Sequence, residues 1–123
     1  MSSNIKRGEI YWVDFESVRG PEQGRLRPAL VIQNDVGNRY SPITIVIPLT
    51  SCVSEKPYPQ NVLLEAGVGG LREDFELVSS QIRAVDKSRV GERLGSVPDK
   101  LMEAVERAIL LTLGMESYTR SWE

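Results

Sequence analysis

The chain contains no histidine. That excludes the Ser–His and Cys–His nucleophile pairs and every acid–base pair built on imidazole. Cysteine is nearly absent too: Cys52 stands alone, which rules out a disulfide within the chain and suits a reducing compartment. One thiolate with carboxylates makes a poor zinc site. Missing as well is any apolar run approaching the ~18 residues of a membrane span. The longest near the N-terminus is IYWV (10–13), so neither a span nor a signal peptide is expected. Nor is there a charge excess: 15 basic and 17 acidic residues leave a net charge of −2. A general nucleic-acid coat protein, whose affinity comes from many phosphate contacts, is therefore disfavoured, while a small local phosphate site is not. Any catalysis has to rest on carboxylates, Arg, Lys, Tyr, hydroxyls or a bound cation.

What is present is an ordinary folded composition: 123 residues, 41% apolar and 26% charged, enough for one domain around one core. EIYWVDF (9–15) mixes aromatic and β-branched residues and predicts a strand with Tyr11, Val13 and Phe15 on one face. Residues 16–26 follow as an exposed loop broken by Gly20-Pro21 and Gly24. A second strand runs from Pro28 to about Gln33, with the proline at its start or edge because it has no N–H to give. NDVGNRYSP (34–42) is turn-rich with room for one helical turn, and ITIVIPL (43–49) is the most continuous apolar strand. Pro48 predicts a bulge or strand exit near its end.

Residues 50–60 form a second loop stiffened by Pro57 and Pro59. NVLLE (61–65) predicts a short strand, 67–74 a Gly-rich turn, FELVSSQIRAVD (75–86) one or two strands, and 87–94 a further strand or turn. From Pro98 the period changes: Leu101, Val105, Ala108, Ile109 and Thr112 share a helical face, Pro98 suits the first turn, and Gly114 suits the position just past the end. Five to seven short strands followed by one amphipathic helix predict a mainly β (α+β) fold, an antiparallel, partly closed barrel with a helix packed on it.

If the second and third strands are neighbours, loops 16–26 and 50–60 wall one groove. The first offers Glu22, Gln23, Arg25 and Arg27; the second opens with Thr50-Ser51. An arginine, hydroxyls and a carboxylate suit a phosphodiester: the guanidinium fork matches phosphate oxygens, a hydroxyl adds a hydrogen bond, and a carboxylate can take a proton from an attacking hydroxyl. Solvated loop charges and a Thr-Ser turn are the competing reading.

KRGEIYWVDF (6–15), GPEQGRLRPALVIQND (20–35), IVIPLTS (45–51) and QIRAVD (81–86), followed by a C-terminal helix, resemble the MazF/PemK family of toxin endoribonucleases. The likeness spans about residues 6–115 and leaves 116–123 as a short polar tail of a single domain, 1–123. It implies a small SH3-like barrel of the CcdB/PemK toxin type, acting as a cytoplasmic homodimer without metal or other cofactor. It implies cleavage of single-stranded mRNA at a specific sequence, and an antitoxin that lies in the RNA groove. By the same resemblance Arg27 and Thr50 are catalytic, Glu22 is a proton acceptor, and Gln81 lines the RNA groove. Gln23, Arg25 and Ser51 are candidate substrate contacts. Some relatives carry a carboxylate just before that glutamine; here Ser80 stands there, which leaves Glu22 as the nearer base. A gyrase-poisoning toxin of the CcdB type, on the same fold and without RNA chemistry, is the alternative.

Other features have plainer readings beside functional ones. Arg72-Glu73-Asp74 with Glu76 reads as a solvated turn, since alternating signs fit no cation loop. Trp12 is core, dimer interface or a stacking platform for a base, and Arg39 is a surface residue or an RNA contact. Arg25 is either a phosphate- or antitoxin-facing charge or a solvated one. Cys52 reads as a small buried or semi-buried hydrophobe.

Overall fold

A computed structural model describes residues 4–15, 25–56 and 58–116. Among the described residues seven strands form, in chain order, β1 (Glu9–Asp14), β2 (Leu26–Val31), β3 (Ile43–Thr50), β4 (Asn61–Leu64), β5 (Phe75–Val78), β6 (Arg83–Asp86) and β7 (Val90–Ser96). Two α-helices join them, α1 (Asp35–Tyr40) after β2 and α2 (Asp99–Thr112) after β7. The sheet order is β4-β5-β3-β2-β1-β7, with β6 also paired to β3, and every pairing is antiparallel. The mainly β fold with a C-terminal helix is as expected.

The barrel expected to be partly closed takes the form of a curled sheet that stays open: among the described residues the hydrogen-bonded path has two ends. At one end, the tight turn Val68–Gly70 packs against a face of β7. A Cβ on Gly95 would come within 2.5 Å of the Gly69 carbonyl carbon, and Gly70 has φ +80, so this approach of backbone to backbone depends on glycine.

Apolar side chains divide into two clusters. Ile10, Leu30, Ile47, Leu49, Leu64 and Leu77 meet Met102 and Val105 of α2 on one side. Each such side chain, fully buried, contributes roughly 1.5–3 kcal/mol. Tyr11, Val13, Phe15, Ala29, Val31, Val46 and Val85 make the second cluster, inside the curl of β1, β2, β3 and β6. The Arg83 guanidinium lies 5.0 Å from the centre of the Phe15 ring, which joins β6 to the end of β1 although β3 and β2 separate them.

β3 organises the molecule. Its first half pairs with β6, from Ile43↔Asp86 to Val46↔Arg83, and its last two residues pair with β5, Leu49↔Leu77 and Thr50↔Glu76. Pro48 falls between these two partners, where a missing N–H breaks no ladder, and its backbone stays extended opposite Ala29. The bulge or exit expected at Pro48 is thus a change of neighbour.

At the start of β3 lies a closed polar network. Asn34 caps α1 by accepting from Gly37 N at 2.8 Å. Asn38, fully buried, accepts from Thr44 Oγ1 at 2.7 Å and Gln33 Nε2 at 3.1 Å and donates to the Gln33 carbonyl at 2.9 Å and to Asp35 Oδ1 at 3.1 Å. Lys87, itself buried, donates to the Asn38 carbonyl. Asn38 is therefore a structural residue, while Arg39 is exposed and lies over Tyr40. On α2, Pro98 stands at the N-cap, one residue ahead of the first turn expected for it, and Gly114 follows the helix at φ +73.

Candidate active site

β2 and β3 are neighbours, and their register brings the two loop ends together. The paired residues are Ala29↔Pro48, Leu30↔Ile47 and Val31↔Val46. The ladder ends at Ala29↔Pro48; extended by two residues, the same register would put Arg27 across from Thr50. Ile32 N donates to Ile45 O at 2.9 Å, which marks one hydrogen-bonded pair. Alternation then makes 31/46, 29/48 and 27/50 the close, non-hydrogen-bonded kind, with Cα atoms about 4.5 Å apart in regular geometry. Arg27 and Thr50 share the sheet face of Val31, Ala29 and Val46, at the open end of the second core cluster.

Arg27 is half-buried, and no hydrogen bond or ion pair to its side chain is formed among the described residues. Its neighbour Arg25 differs: Nε and Nη2 donate to the two oxygens of Asp14 at 2.9 and 3.2 Å, a forked pair on an exposed surface. Pro28, buried at the next position, fixes its own φ and keeps the backbone of Arg27 extended. A cation taken partly out of water without a protein counter-charge is one available for an anionic ligand.

Thr50 is also half-buried, and its Oγ1 accepts from Cys52 N at 3.1 Å. Accepting that bond leaves the hydroxyl proton to donate outward. Ser51 and Cys52 are exposed, so the cysteine is not the buried hydrophobe expected. Gln81 is exposed and ends the short turn Ser79–Gln81, which connects β5 to β6. Both of those strands border β3 on the side away from β2. Glu22 and Gln23 lie outside the described residues.

Two residues at this end carry no role in the sequence reading. Arg83, in the QIRAVD block, is exposed and covers Phe15, which places a second guanidinium at the same end of the same sheet face. Only the curl of the sheet brings it there, and no local pattern signals that. Glu76 is the other, and it corrects the reading of a solvated turn. Only 1% exposed, it lies opposite Thr50 and accepts from Ser54 N at 2.7 Å and Asn61 Nδ2 at 2.6 Å. The Ser54 amide leads in holding its carboxyl below the usual glutamate range, against the opposing effect of burial, with Asn61 helping. Trp12, half-buried and paired with Pro28, borders two surface hollows of about 490 and 360 Å³ on the opposite sheet face from Tyr11 and Val13.

With this geometry in hand, likeness to known proteins is informative. Residues 6–113 match the family model described as PemK-like, MazF-like toxin of type II toxin–antitoxin system. The chain is 38% identical over 111 residues to the endoribonuclease EndoA of Bacillus subtilis, covering 90% of this chain and 96% of that one. It is 39% identical over 113 residues to the endoribonuclease MazF of Staphylococcus saprophyticus, covering 92% and 94%. Its fold matches the crystal structure of MazF from Deinococcus radiodurans with a TM-score of 0.73 at 30% identity, over 90% and 97% of the two chains. A mycobacterial endoribonuclease solved in complex with its cognate antitoxin shares the fold with a TM-score of 0.72 at 22% identity, over 90% and 96%. These likenesses do not favour the gyrase-poisoning alternative.

Proposed function

The chain belongs to the PemK-like, MazF-like toxins of type II toxin–antitoxin systems, and from that premise we propose that it is a sequence-specific, metal-independent endoribonuclease acting on single-stranded mRNA. The observation that carries this reading is the β2–β3 register, whose continuation past Ala29↔Pro48 would bring Thr50 across from Arg27, a cation with no side-chain partner among the described residues. The ribose 2′-OH attacks the adjacent phosphorus, the bond to the 5′ oxygen breaks, and the products are a 2′,3′-cyclic phosphate and a 5′-OH end. Because the nucleophile belongs to the substrate, a chain without histidine can catalyse the step.

Arg27 neutralises the charge that grows on the non-bridging oxygens, and the Thr50 hydroxyl donates to one of them. A guanidinium does not accept protons in proteins, so the 2′-OH proton goes elsewhere. Glu22 is the carboxylate in the right sequence block to take it, or alignment of the 2′-OH alone supplies most of the activation. Gln23, Arg25, Ser51 and Gln81 contact the RNA on either side. Base edges of unstacked RNA are read by loop groups, so 50–60 sets the sequence preference. Solved MazE–MazF assemblies support an antitoxin as partner, and the exposed Leu111, Leu113 and Met115 supply apolar surface for a homodimer. Among the described residues no helix is long and apolar enough to cross a membrane, and we place the protein, as one domain, in the cytoplasm.

Incubation with a long single-stranded RNA, with and without EDTA, tests the proposal. Discrete fragments with 5′-OH ends in both, and intact DNA of the same sequence, are expected. Scission of the DNA, or loss of RNA cutting in EDTA, overturns the mechanism.

A further inference from the structure

Glu76 is buried and charged, and the chemistry above does not use it. Among the described residues no cation pairs with it; its stabilisation comes from the Ser54 amide, the Asn61 side chain and the Ser54 hydroxyl. An ionised carboxylate buried without a counter-charge is a poor way to gain stability. Its position is more informative than its energy. It sits across the β3–β5 ladder from Thr50. The chain leaving Thr50 makes two tight contacts, Cys52 N to Thr50 Oγ1 at 3.1 Å and Val53 N to Ser51 O at 3.1 Å, and then meets Glu76 Oε1 through Ser54 N. The returning chain, where β4 begins, meets Glu76 Oε2 through Asn61, whose own amide is tied to the Tyr58 carbonyl at 2.8 Å. Ser54 is exposed, so its amide could be served by water; it is served by this carboxylate instead.

We infer that Glu76 is a positioning residue whose carboxylate holds both ends of the loop that leaves Thr50, and so aims the Thr50 hydroxyl and Ser51 at the scissile phosphate. This rests on the reading of Thr50 as a phosphate contact. The carboxylate suits the task because both oxygens only accept. A glutamine would turn an NH2 toward one of the two donors and release one end of the loop.

The test is a double-mutant cycle on single-turnover cleavage of a long single-stranded RNA, with affinity measured on its 2′-deoxy analogue. Glu76→Gln is expected to slow cleavage by roughly 10- to 100-fold, the size of effect a misplaced catalytic group produces. Affinity for the analogue should change by less than about 3-fold, because most phosphate contacts are untouched. In a Thr50→Ala background the same substitution should slow cleavage by less than about 2-fold, since residues that act as a unit do not add. Equal losses in both backgrounds, or no loss from Glu76→Gln alone, overturn the inference and leave the nuclease reading standing. Undiminished cleavage by Thr50→Ala overturns the role of Thr50 and this inference with it. Circular dichroism checks the fold of each variant. If Glu76→Gln does not fold, Ser54→Pro, which deletes the donated N–H at an exposed position, takes its place with the same outcomes.

Discussion

The two ends of β3 treat polar groups in opposite ways. At its start, Thr44, Asn38, Gln33 and Lys87 are bonded to one another or to backbone. At its far end, the Arg27 side chain finds no partner among the described residues, and Thr50 accepts a hydrogen bond while keeping a proton to give. Both sites are half- to fully buried, so solvent access does not explain the difference. A closed network fixes a shape; an open one holds bonding capacity for something that arrives later. The paired arginines repeat the contrast at close range, Arg25 forked onto Asp14 and Arg27, two residues on, unclaimed.

Substitutions at the two ends should therefore fail differently. The largest effect is expected at Arg27. Arg27→Ala should lower RNA cleavage by about 10³-fold, as for loss of a donor aimed at developing charge. Its melting temperature should be close to that of the parent, and Arg27→Lys should restore little, because a point charge does not reproduce the planar fork. Near-normal cleavage by Arg27→Ala would remove the basis of the comparison. Thr50→Ala should cost about 10- to 100-fold, and Thr50→Ser, which keeps the hydroxyl, should recover most of it. A serine variant as poor as the alanine one would mean that the methyl group, not the hydroxyl, matters.

At the other end Asn38→Ala should cost about 2 kcal/mol of stability by leaving the buried Thr44 hydroxyl unpaired. Denaturant unfolding measures this, and cleavage per folded molecule should stay at the parent rate. A folded Asn38→Ala protein that no longer cuts RNA would blur the distinction between the two ends.

The smallest effect concerns acid. Asp35, held by the Arg7 amide, and Glu76, held chiefly by the Ser54 amide, both have carboxyls shifted below their ordinary ranges. Their stabilisation is complete above the unfolded-state values near 4 and is lost as pH falls through the lower folded-state values. Stability should thus be flat between about pH 5 and pH 9 and decline below about pH 4; above about pH 10 it should fall again, because burial and the Glu9 carboxylate raise the Tyr11 phenol. Glu76→Gln should make the acid decline shallower, and an unchanged slope in an acid-unfolding series would contradict this reading of its charge.

Much of this was legible from residue order. Alternation in EIYWVDF and the apolar run ITIVIPL marked β1 and β3, and the 3.6 period from Leu101 to Thr112 marked α2, because those patterns report directly on what is buried. Residues 87–94 stayed open between turn and strand, and the structure makes a short turn, Lys87–Arg89, followed by β7. The pairing of Arg27 with Thr50 depends on register between distant segments; the loop layout puts both among several candidates, and the family resemblance singles them out. Glu76 was misread because its neighbours Arg72, Glu73 and Asp74 are exposed, and a carboxylate's partners, here Ser54 and Asn61, lie far off in sequence. Arg83 carries no local signal for the same reason, since its contact with Phe15 spans the curl of the sheet.

Cys52 gives this arrangement a practical use. It is the chain's sole thiol, it is exposed, and its own amide bonds the Thr50 hydroxyl. A maleimide dye should therefore attach at one known place without any engineered residue, within a few ångströms of the proposed scissile phosphate. Emission from that dye would follow RNA arrival and product departure in real time, separating steps that a gel records as one.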